Sequence, residues 1–278
     1  MKPLIDGDVI LHEIGWAGQM KDKETGEEIL LPFSTVEEIL ETRIRQICEG
    51  AGGTKEPLFF FSNSEWIANL ITKRSKYMGG EPLEYVPNFR YEVAKTKPYK
   101  GTRKNPKPFH FYNIWLYLIN NYDYIISQGG LEADDELCIY QTQSEEETII
   151  CSRDKDLRIC PGWHYSWKVN GQMEFPPVKT DELGWININK GKVSGYGKLF
   201  FYAQMLMGDA ADNIPGLPKA GPVKAWETLA GLDTEEKAYE AVKALYKASG
   251  YPLEYFMEQA NLLWMVQERG VGYERPKT

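Results

Sequence analysis

The sequence predicts an α/β fold with a mostly parallel central sheet flanked by helices. Short apolar runs typical of buried strands recur through the first part of the chain, and segments with helical periodicity lie between them. After about Gly195 the pattern becomes helical in several successive pieces. Strands that alternate with helices favour parallel pairing, because each crossover back to the sheet is long enough to hold a helix. Ligands of such sheets bind beyond the carboxyl ends of the strands.

Four runs are predicted to be buried strands, because they are apolar or rich in β-formers and are bounded by polar residues or glycine. They are residues 4–5, 58–61, 124–127 and 148–152. Residues 163–192 are rich in Gly, Pro, Asn, Trp and Thr and predict hairpins and loops.

The first helix is predicted from a capping box, Ser34 with Glu37, ahead of an apolar period that Gly50 would end. Two more helices are predicted between the strands, at residues 110–121 and 133–143. The remaining predicted helices lie in the last part of the chain, at residues 199–207, 223–230, 234–248 and 253–268.

The overall composition indicates a globular chain. It has 278 residues, of which 42% are hydrophobic and 26% charged, which excludes a disordered or collagen-like protein. No segment approaches the roughly 20 apolar residues of a membrane span, and the first residues do not form a signal peptide. Four cysteines without a C-x-x-C pair favour buried thiols over a zinc site or disulfides. We expect a cytoplasmic protein that has no membrane partner.

Charge is unevenly distributed along the chain. Its 32 basic and 40 acidic residues give a net charge of −8, which by itself argues against a nucleic-acid partner. Residues 90–107, however, contain seven basic residues and one acid. A basic run is usually only a solvated surface, so this segment alone does not identify a phosphate-binding site.

Acidic residues follow three of the predicted strands. Asp6 and Asp8 follow the first, and the other groups are Glu132 with Asp134 and Asp135, and Asp154 with Asp156. Each residue alone could be a helix cap or part of an Asx-turn. Together they would meet at one edge of the sheet, where their repulsion calls for cations. Oxygen ligands favour Mg²⁺ or Mn²⁺ over Zn²⁺.

A further acidic pair, Asp209 and Asp212, lies three residues apart at the end of an apolar helix and would share one face of a turn. The candidate metal ligands are therefore Asp6, Glu132, Asp134, Asp135, Asp154, Asp156, Asp209 and Asp212. Without these eight acids the chain has 32 acidic and 32 basic residues, so net charge gives no argument against a polyanionic substrate.

Six motifs occur in an order and spacing that resemble one family. They are Ile5-Asp-Gly-Asp8, Asn88-Phe-Arg90, Pro98-Tyr-Lys-Gly-Thr-Arg103, Gly130-Leu-Glu-Ala-Asp-Asp135, Ser152-Arg-Asp-Lys-Asp156 and Gly208-Asp-Ala-Ala-Asp-Asn-Ile-Pro-Gly216. The family is the metal-dependent structure-specific 5′ nucleases, which include flap endonucleases and the 5′-nuclease domain of bacterial DNA polymerase I. The chain is most similar to the phage 5′-to-3′ exonucleases.

The resemblance implies a PIN-like nuclease domain over residues 1–195, with a basic arch at about 65–108. It also implies a helical DNA-binding region over residues 196–278 that contains a helix-three-turn-helix element. The implied reaction is hydrolysis of DNA phosphodiesters by two Mg²⁺ ions, with Mn²⁺ able to substitute. Asp6, Glu132 and Asp134 would bind the first ion, and the other five acids would form the second or outer set.

The resemblance also assigns the basic residues. Lys100 and Arg103 would clamp the scissile phosphate, while Arg90 and Tyr99 are weaker candidates for DNA contact, with packing the other interpretation of Tyr99. In the hairpin after Asp212, backbone N–H groups and lysines would bind a duplex phosphate, and the hairpin is a possible K⁺ site. The hairpin residues are Gly216, Lys219, Gly221 and Lys224.

The implied partner is DNA with a 5′ end, nick or flap, with any polymerase on a separate chain and, for a phage protein, the host cytoplasm as its location. Asn63 departs from the family pattern, since many relatives carry an aspartate there. Two alternatives remain open. Asp6-Gly7-Asp8 also resembles the nucleophile motif of haloacid-dehalogenase-type phosphatases, and Asn63 leaves open a catalytically weak DNA-binding relative.

Overall fold

A computed structural model describes residues 1–22, 24–102, 106–169 and 171–276. Its central feature is a six-stranded sheet with the order β5-β4-β1-β6-β7-β8, in which all neighbours are parallel except β7 and β8. The strands of the described chain are β1 (Lys2–Asp6), β2 (Gln19–Lys21), β3 (Glu28–Leu30), β4 (Leu58–Phe61), β5 (Asp123–Ile126), β6 (Thr148–Cys151), β7 (Gly162–Ser166), β8 (Phe175–Thr180), β9 (Trp185–Asn189) and β10 (Lys192–Tyr196). The α/β class and the four predicted strands are confirmed.

Helices cover both faces of the sheet. They are α1 (Gly7–Ala17), α2 (Phe33–Gly50), α3 (Glu65–Met78), α4 (Arg90–Val93), α5 (Phe111–Asn121), α6 (Ala133–Gln143), α7 (Gly197–Met207), α8 (Pro222–Leu229), α9 (Glu235–Ala248) and α10 (Leu253–Leu263). None of the helices in the described ranges is long and apolar enough to cross a membrane. The region predicted to hold hairpins contains β7 paired with β8 and part of the β9–β10 hairpin.

Two helix predictions need correction. The capping box at Ser34 is wrong, because α2 already begins at Phe33 after Pro32 and has no side-chain cap, so Ser34 lies inside the first turn. The last helix ends at Leu263 and not at residue 268, because Trp264 is extended, with φ −68° and ψ 128°. Helices α1, α3 and α4 were not predicted.

The two faces of the sheet bury separate hydrophobic clusters. Along β1, Leu4 packs into one cluster and Ile5 into the other, and along β4 Phe60 alternates in the same way with Phe59. This alternation follows from the two-residue period of a strand, and burial of both faces explains why these strands are continuously apolar. The cluster that contains Leu4 also contains residues of α6 to α10, so the C-terminal helices complete one face of the core. The boundary at residues 195 and 196 stays a prediction.

The topology brings the ends of β1, β4 and β6 to one edge. β1 lies between β4 and β6, with Asp6 opposite Phe60 and Ile5 opposite Cys151. Helix α1 follows β1 without a loop, and Gly7 makes this possible, because a Cβ there would lie 2.7 Å from the Phe60 carbonyl oxygen. The polar residues that follow these three strands therefore share one edge of the sheet.

Candidate metal centre and nucleic-acid surface

A cavity of about 630 Å³ lies at the carboxyl edge of the sheet. Six of the eight predicted acids line it, together with Asp8, Asn63, Tyr99 and Lys100. The six are Asp6, Glu132, Asp134, Asp154, Asp156 and Asp212. Asp135 and Asp209 are not among its lining residues. The structure thus brings together side chains that are up to 206 residues apart in the sequence.

Asp6 links the end of β1 to the loop that follows β6. One of its oxygens accepts the Val9 N–H at 3.1 Å and so caps α1, while the other accepts the Ser152 hydroxyl at 2.6 Å. The Ser152 Oγ in turn accepts the Asp154 N–H at 2.9 Å. Burial and the neighbouring charge of Asp8 raise the pKa of Asp6 to about 7. Asp6 is therefore both a helix cap and part of the acidic lining.

Asp8 belongs to the same lining, although the predicted ligand set omits it. Its carboxylate accepts the Ser62 N–H at 3.2 Å, which ties the first turn of α1 to the segment after β4. Burial raises the pKa of Asp8. The signal that could have identified it is its spacing, since the cap and the second residue of a helix that directly follows a strand both lie at the sheet edge.

Glu132 and Asp134 enter the cavity from the amino-terminal end of α6. Lys100 forms an ion pair with Glu132, and the Tyr99 hydroxyl lies 2.9 Å from Glu132 Oε2 and 3.1 Å from Asp212 Oδ2. Burial and the charges of Asp6 and Asp154 raise the pKa of Asp134 well above its usual range. Protonation or a bound cation would therefore relieve repulsion at Asp134.

Lys155 pairs with one acid that follows β6 and with one that follows α7. Lys155 Nζ lies 2.6 Å from Asp156 Oδ1 and also pairs with Asp209. Burial and the charge of Asp154 raise the pKa of Asp156 to about 7. Burial alone would also raise the pKa of Asp209, but Lys155 and the Ala211 N–H lower it below its usual range. Asp209 therefore acts as a partner of Lys155 beside the cavity.

Two predicted DNA contacts and one predicted ligand have different surroundings from those expected. Arg90 is 1% exposed and pairs with Asp135, which is fully buried, so Arg90 does not reach the surface where DNA would bind. Asp135 accepts four N–H bonds and does not face the cavity. The ring of Tyr99 is 5% exposed and packs in the core, which excludes base stacking in this conformation.

The predicted phosphate clamp is described in part. Lys100 lines the cavity, whereas Arg103 lies outside the described residues. The Lys100 N–H donates to the Asp212 carbonyl at 3.0 Å, and the Asn213 side-chain amide donates to the Pro98 carbonyl at 2.9 Å. The start of the basic segment is thus joined directly to the turn that carries Asp212.

The hairpin after Asp212 divides into a buried and an exposed part. Gly216 is buried, and its N–H donates to Gln259 Oε1 at 3.0 Å, so it is not available to a phosphate. Its φ of +60° and its close approach to Gly208 explain the glycine instead. Lys219, Gly221 and Lys224 are exposed, and their contact with DNA stays a prediction.

The oxygen atoms that line the cavity are of the kind that bind a hard divalent cation. It is rich in carboxylate oxygens, and Asn63 Oδ1 is buried without a hydrogen-bond partner, while its amide nitrogen donates to the Glu84 carbonyl at 2.8 Å. In the described part of the chain, no three Asp, Glu, His or Cys side chains converge as around a held ion. Instead, Lys100 forms an ion pair with Glu132, and Lys155 forms ion pairs with Asp156 and Asp209.

Fold and site together define an α/β protein with an acidic cavity at the carboxyl edge of a mostly parallel sheet. The chain is 29% identical over 129 residues to a 5′-3′ exonuclease of Buchnera aphidicola subsp. Schizaphis graminum (strain Sg). That match spans 42% of this chain and 39% of the relative. No family model matches the sequence.

The fold is also that of a solved nuclease. T5 5′-exonuclease, in a structure with bound zinc ions, aligns over 95% of this chain and 98% of its own, with a TM-score of 0.51 and 13% sequence identity. The similarity drawn from the six motifs, to phage-type 5′-3′ exonucleases, is therefore confirmed.

The unpartnered Asn63 oxygen gives a testable prediction for Asn63→Asp. In EDTA the variant should melt about 3 °C or more below wild type, because it loses the amide bond to Glu84 and adds charge to an acidic cavity. Saturating Mn²⁺ should reduce or reverse this deficit. Asn63→Ala, which loses the same bond without adding charge, should show no such recovery. A deficit of Asn63→Asp that is equal with and without Mn²⁺ would refute a cation beside Asn63.

Proposed function

We propose that this chain is a Mg²⁺-dependent 5′-3′ exonuclease and structure-specific 5′ flap endonuclease. The observation that carries the proposal is the acidic cavity, where residues from β1, α1, α6 and the loops after β6 and α7 lie beside Lys100. The Buchnera exonuclease and the T5 fold support it. The substrate would be DNA with a 5′ end, nick or flap in the cytoplasm, and a polymerase would be a candidate partner.

The cavity residues suggest how this chain would act. Its carboxylates, including Asp6, Glu132 and Asp134, would hold divalent ions, with Mn²⁺ able to replace Mg²⁺. Bound ions would activate water and offset the charge that develops on the phosphate. Lys100 would leave Glu132 and hold the scissile phosphate, because an ion next to Glu132 would replace the lysine as its counter-charge.

Duplex DNA would bind the exposed hairpin residues Lys219, Gly221 and Lys224. The bonds from Lys100 to Asp212 and from Asn213 to Pro98 join the turn ahead of this hairpin to the basic segment, where Lys100 lines the cavity. A duplex held at the hairpin would therefore present its 5′ end at a set position. The hairpin would also bind a K⁺ ion.

The hydrogen bonds of Asp6 argue against a phosphatase reaction. A phosphatase of that type needs a carboxylate oxygen free to attack phosphorus. Both oxygens of Asp6 accept hydrogen bonds, one from the N–H of Val9 and one from the hydroxyl of Ser152. Asp6 is therefore engaged as the cap of α1 and as the acceptor of Ser152, and these hydrogen bonds lower the nucleophilicity of both its oxygens.

The reaction is tested with 5′-labelled blunt, nicked and flapped duplexes. We expect labelled products in Mg²⁺ or Mn²⁺ and none in EDTA, with Asp134→Asn reducing cleavage by about two orders of magnitude or more. Product lengths distinguish exonuclease from flap cleavage. DNA binding without cleavage in either metal would instead identify a catalytically weak relative, and cleavage that persists in EDTA would refute the metal-dependent reaction.

Lys100→Met tests the phosphate clamp. It keeps most of the apolar stem but removes the charge, so kcat should fall about a hundredfold or more. Lys97→Met, an exposed neighbour in the same basic segment, serves as the control and should stay within a few-fold of wild type. Equal rates for the two variants would show that Lys100 does not contact the reacting phosphate.

Lys219→Ala combined with Lys224→Ala tests the hairpin. If each lysine neutralises one phosphate, the slope of log affinity for duplex against log salt should decrease by about two in total. Fluorescence anisotropy in EDTA measures this without cleavage. Lys55→Ala removes a lysine that precedes β4, at the opposite edge of the sheet, and should leave the slope unchanged. An unchanged slope in the double variant would exclude phosphate contact.

A further inference from the structure

Arg90 and Asp135 form an ion pair sealed inside the protein. Their side chains are 1% and 0% exposed, and two parallel bonds of 2.8 Å join the guanidinium to the carboxylate. This bidentate arrangement is the most directional form of a charged hydrogen bond. The pair therefore fixes the orientation of both side chains.

The remaining polar atoms of the pair are occupied by backbone groups. Asp135 also accepts the N–H groups of Glu132 and Val266, each at 3.1 Å. Arg90 donates to the Leu262 carbonyl at 3.1 Å and to the Trp264 carbonyl at 2.6 Å. The pair thus connects three segments, namely α4, the start of α6 and residues 262–266 at the end of α10.

Two of the three connected segments contribute residues to the lining of the cavity, and Arg90 on α4 lies next to one of these residues, Glu132. Asp135 holds the backbone of Glu132, and Arg90 lies 3.7 Å from Glu132 Oε2. Leu262, Leu263 and Met265 line one wall of the cavity. The position of the Glu132 carboxylate and of that wall therefore depends on a pair that does not itself touch the cavity.

We propose that the Arg90–Asp135 pair is a positioning device for the metal centre, and that Asp135 is not a metal ligand. The role given to Glu132 rests on the proposed function, whereas the clamp formed by Asp135 does not. A buried ion pair stabilises a fold little more than apolar side chains of similar volume do, but loss of one partner is strongly destabilising. Replacing one partner therefore tests the contribution of the pair to folding, and replacing both partners with apolar residues tests its role in positioning.

Neighbouring substitutions on α6 distinguish a clamp from a ligand in metal-free protein. Asp135→Asn removes the bidentate partner of Arg90 and leaves Glu132, 3.7 Å away, as its counter-charge, so in EDTA its melting temperature should fall by about 5 °C or more. Asp134→Asn removes a carboxyl group from a crowded acidic lining and leaves no buried cation unpaired, so its melting temperature should not fall under the same conditions. If Asp135→Asn behaves like Asp134→Asn, the clamp is refuted.

The double variant Arg90→Met with Asp135→Leu tests positioning. Apolar replacement of both partners leaves no unpaired buried charge, so the melting temperature should rise above that of Asp135→Asn, while staying below wild type because four backbone groups lose their partners. Mn²⁺ affinity, measured by calorimetry without DNA, should nevertheless be about tenfold weaker, because Glu132 loses its support. The Mg²⁺ concentration for half-maximal cleavage should rise similarly. Recovery of both stability and Mn²⁺ affinity would overturn the positioning role.

A second ion pair on α6 provides a matched control. Glu136, which is 3% exposed, pairs with Arg269, and neither residue lines the cavity. Arg269→Met with Glu136→Leu should leave Mn²⁺ affinity unchanged, and a tenfold loss there would overturn the specific role of Arg90 and Asp135. If wild type binds no Mn²⁺, the proposed function and the role of Glu132 fall together, while the melting comparison still decides the clamp.

Discussion

Repulsion between buried carboxylates at one edge of the sheet is the constraint on which this structure depends. Three adjacent parallel strands end there, and the start of α6 brings further acids to the same place. Hydrogen bonds from Ser152, Ser62 and Tyr99, and the ammonium groups of Lys100 and Lys155, offset part of this repulsion. Burial and, after it, neighbouring carboxylates raise the pKa values of Asp6, Asp134 and Asp156, so part of the repulsion remains. Divalent cations would offset the remaining repulsion.

The motifs contain residues of two kinds. Asp6, Glu132 and Asp134 line the cavity, whereas Asp135, Arg90 and Gly216 lie behind it and hold its parts together. Both kinds are needed, because ligands can bind an ion only if their supports fix their geometry. A position within a motif therefore does not by itself identify a residue that contacts substrate or metal.

Features that depend on local sequence pattern could be predicted from the sequence alone. The four strands, the bounds of α6 and the meeting of acids at one edge all follow from apolar runs and from what comes after them. Features that depend on tertiary contacts were missed. Helix α1 has two glycines and an apolar stretch without clear amphipathic spacing, and its start depends on close approach to Phe60. The burial of Arg90 depends on carbonyl groups more than 170 residues away.

Anomalous diffraction from crystals grown with Mn²⁺ tests the central claim most directly. The account predicts Mn²⁺ peaks within the cavity, in contact with Glu132 and Asp134, with Lys100 withdrawn from Glu132 and Asp135 still paired with Arg90. Peaks elsewhere on the surface, or a cavity in which Lys100 and Lys155 keep their carboxylate partners at saturating Mn²⁺, would contradict it.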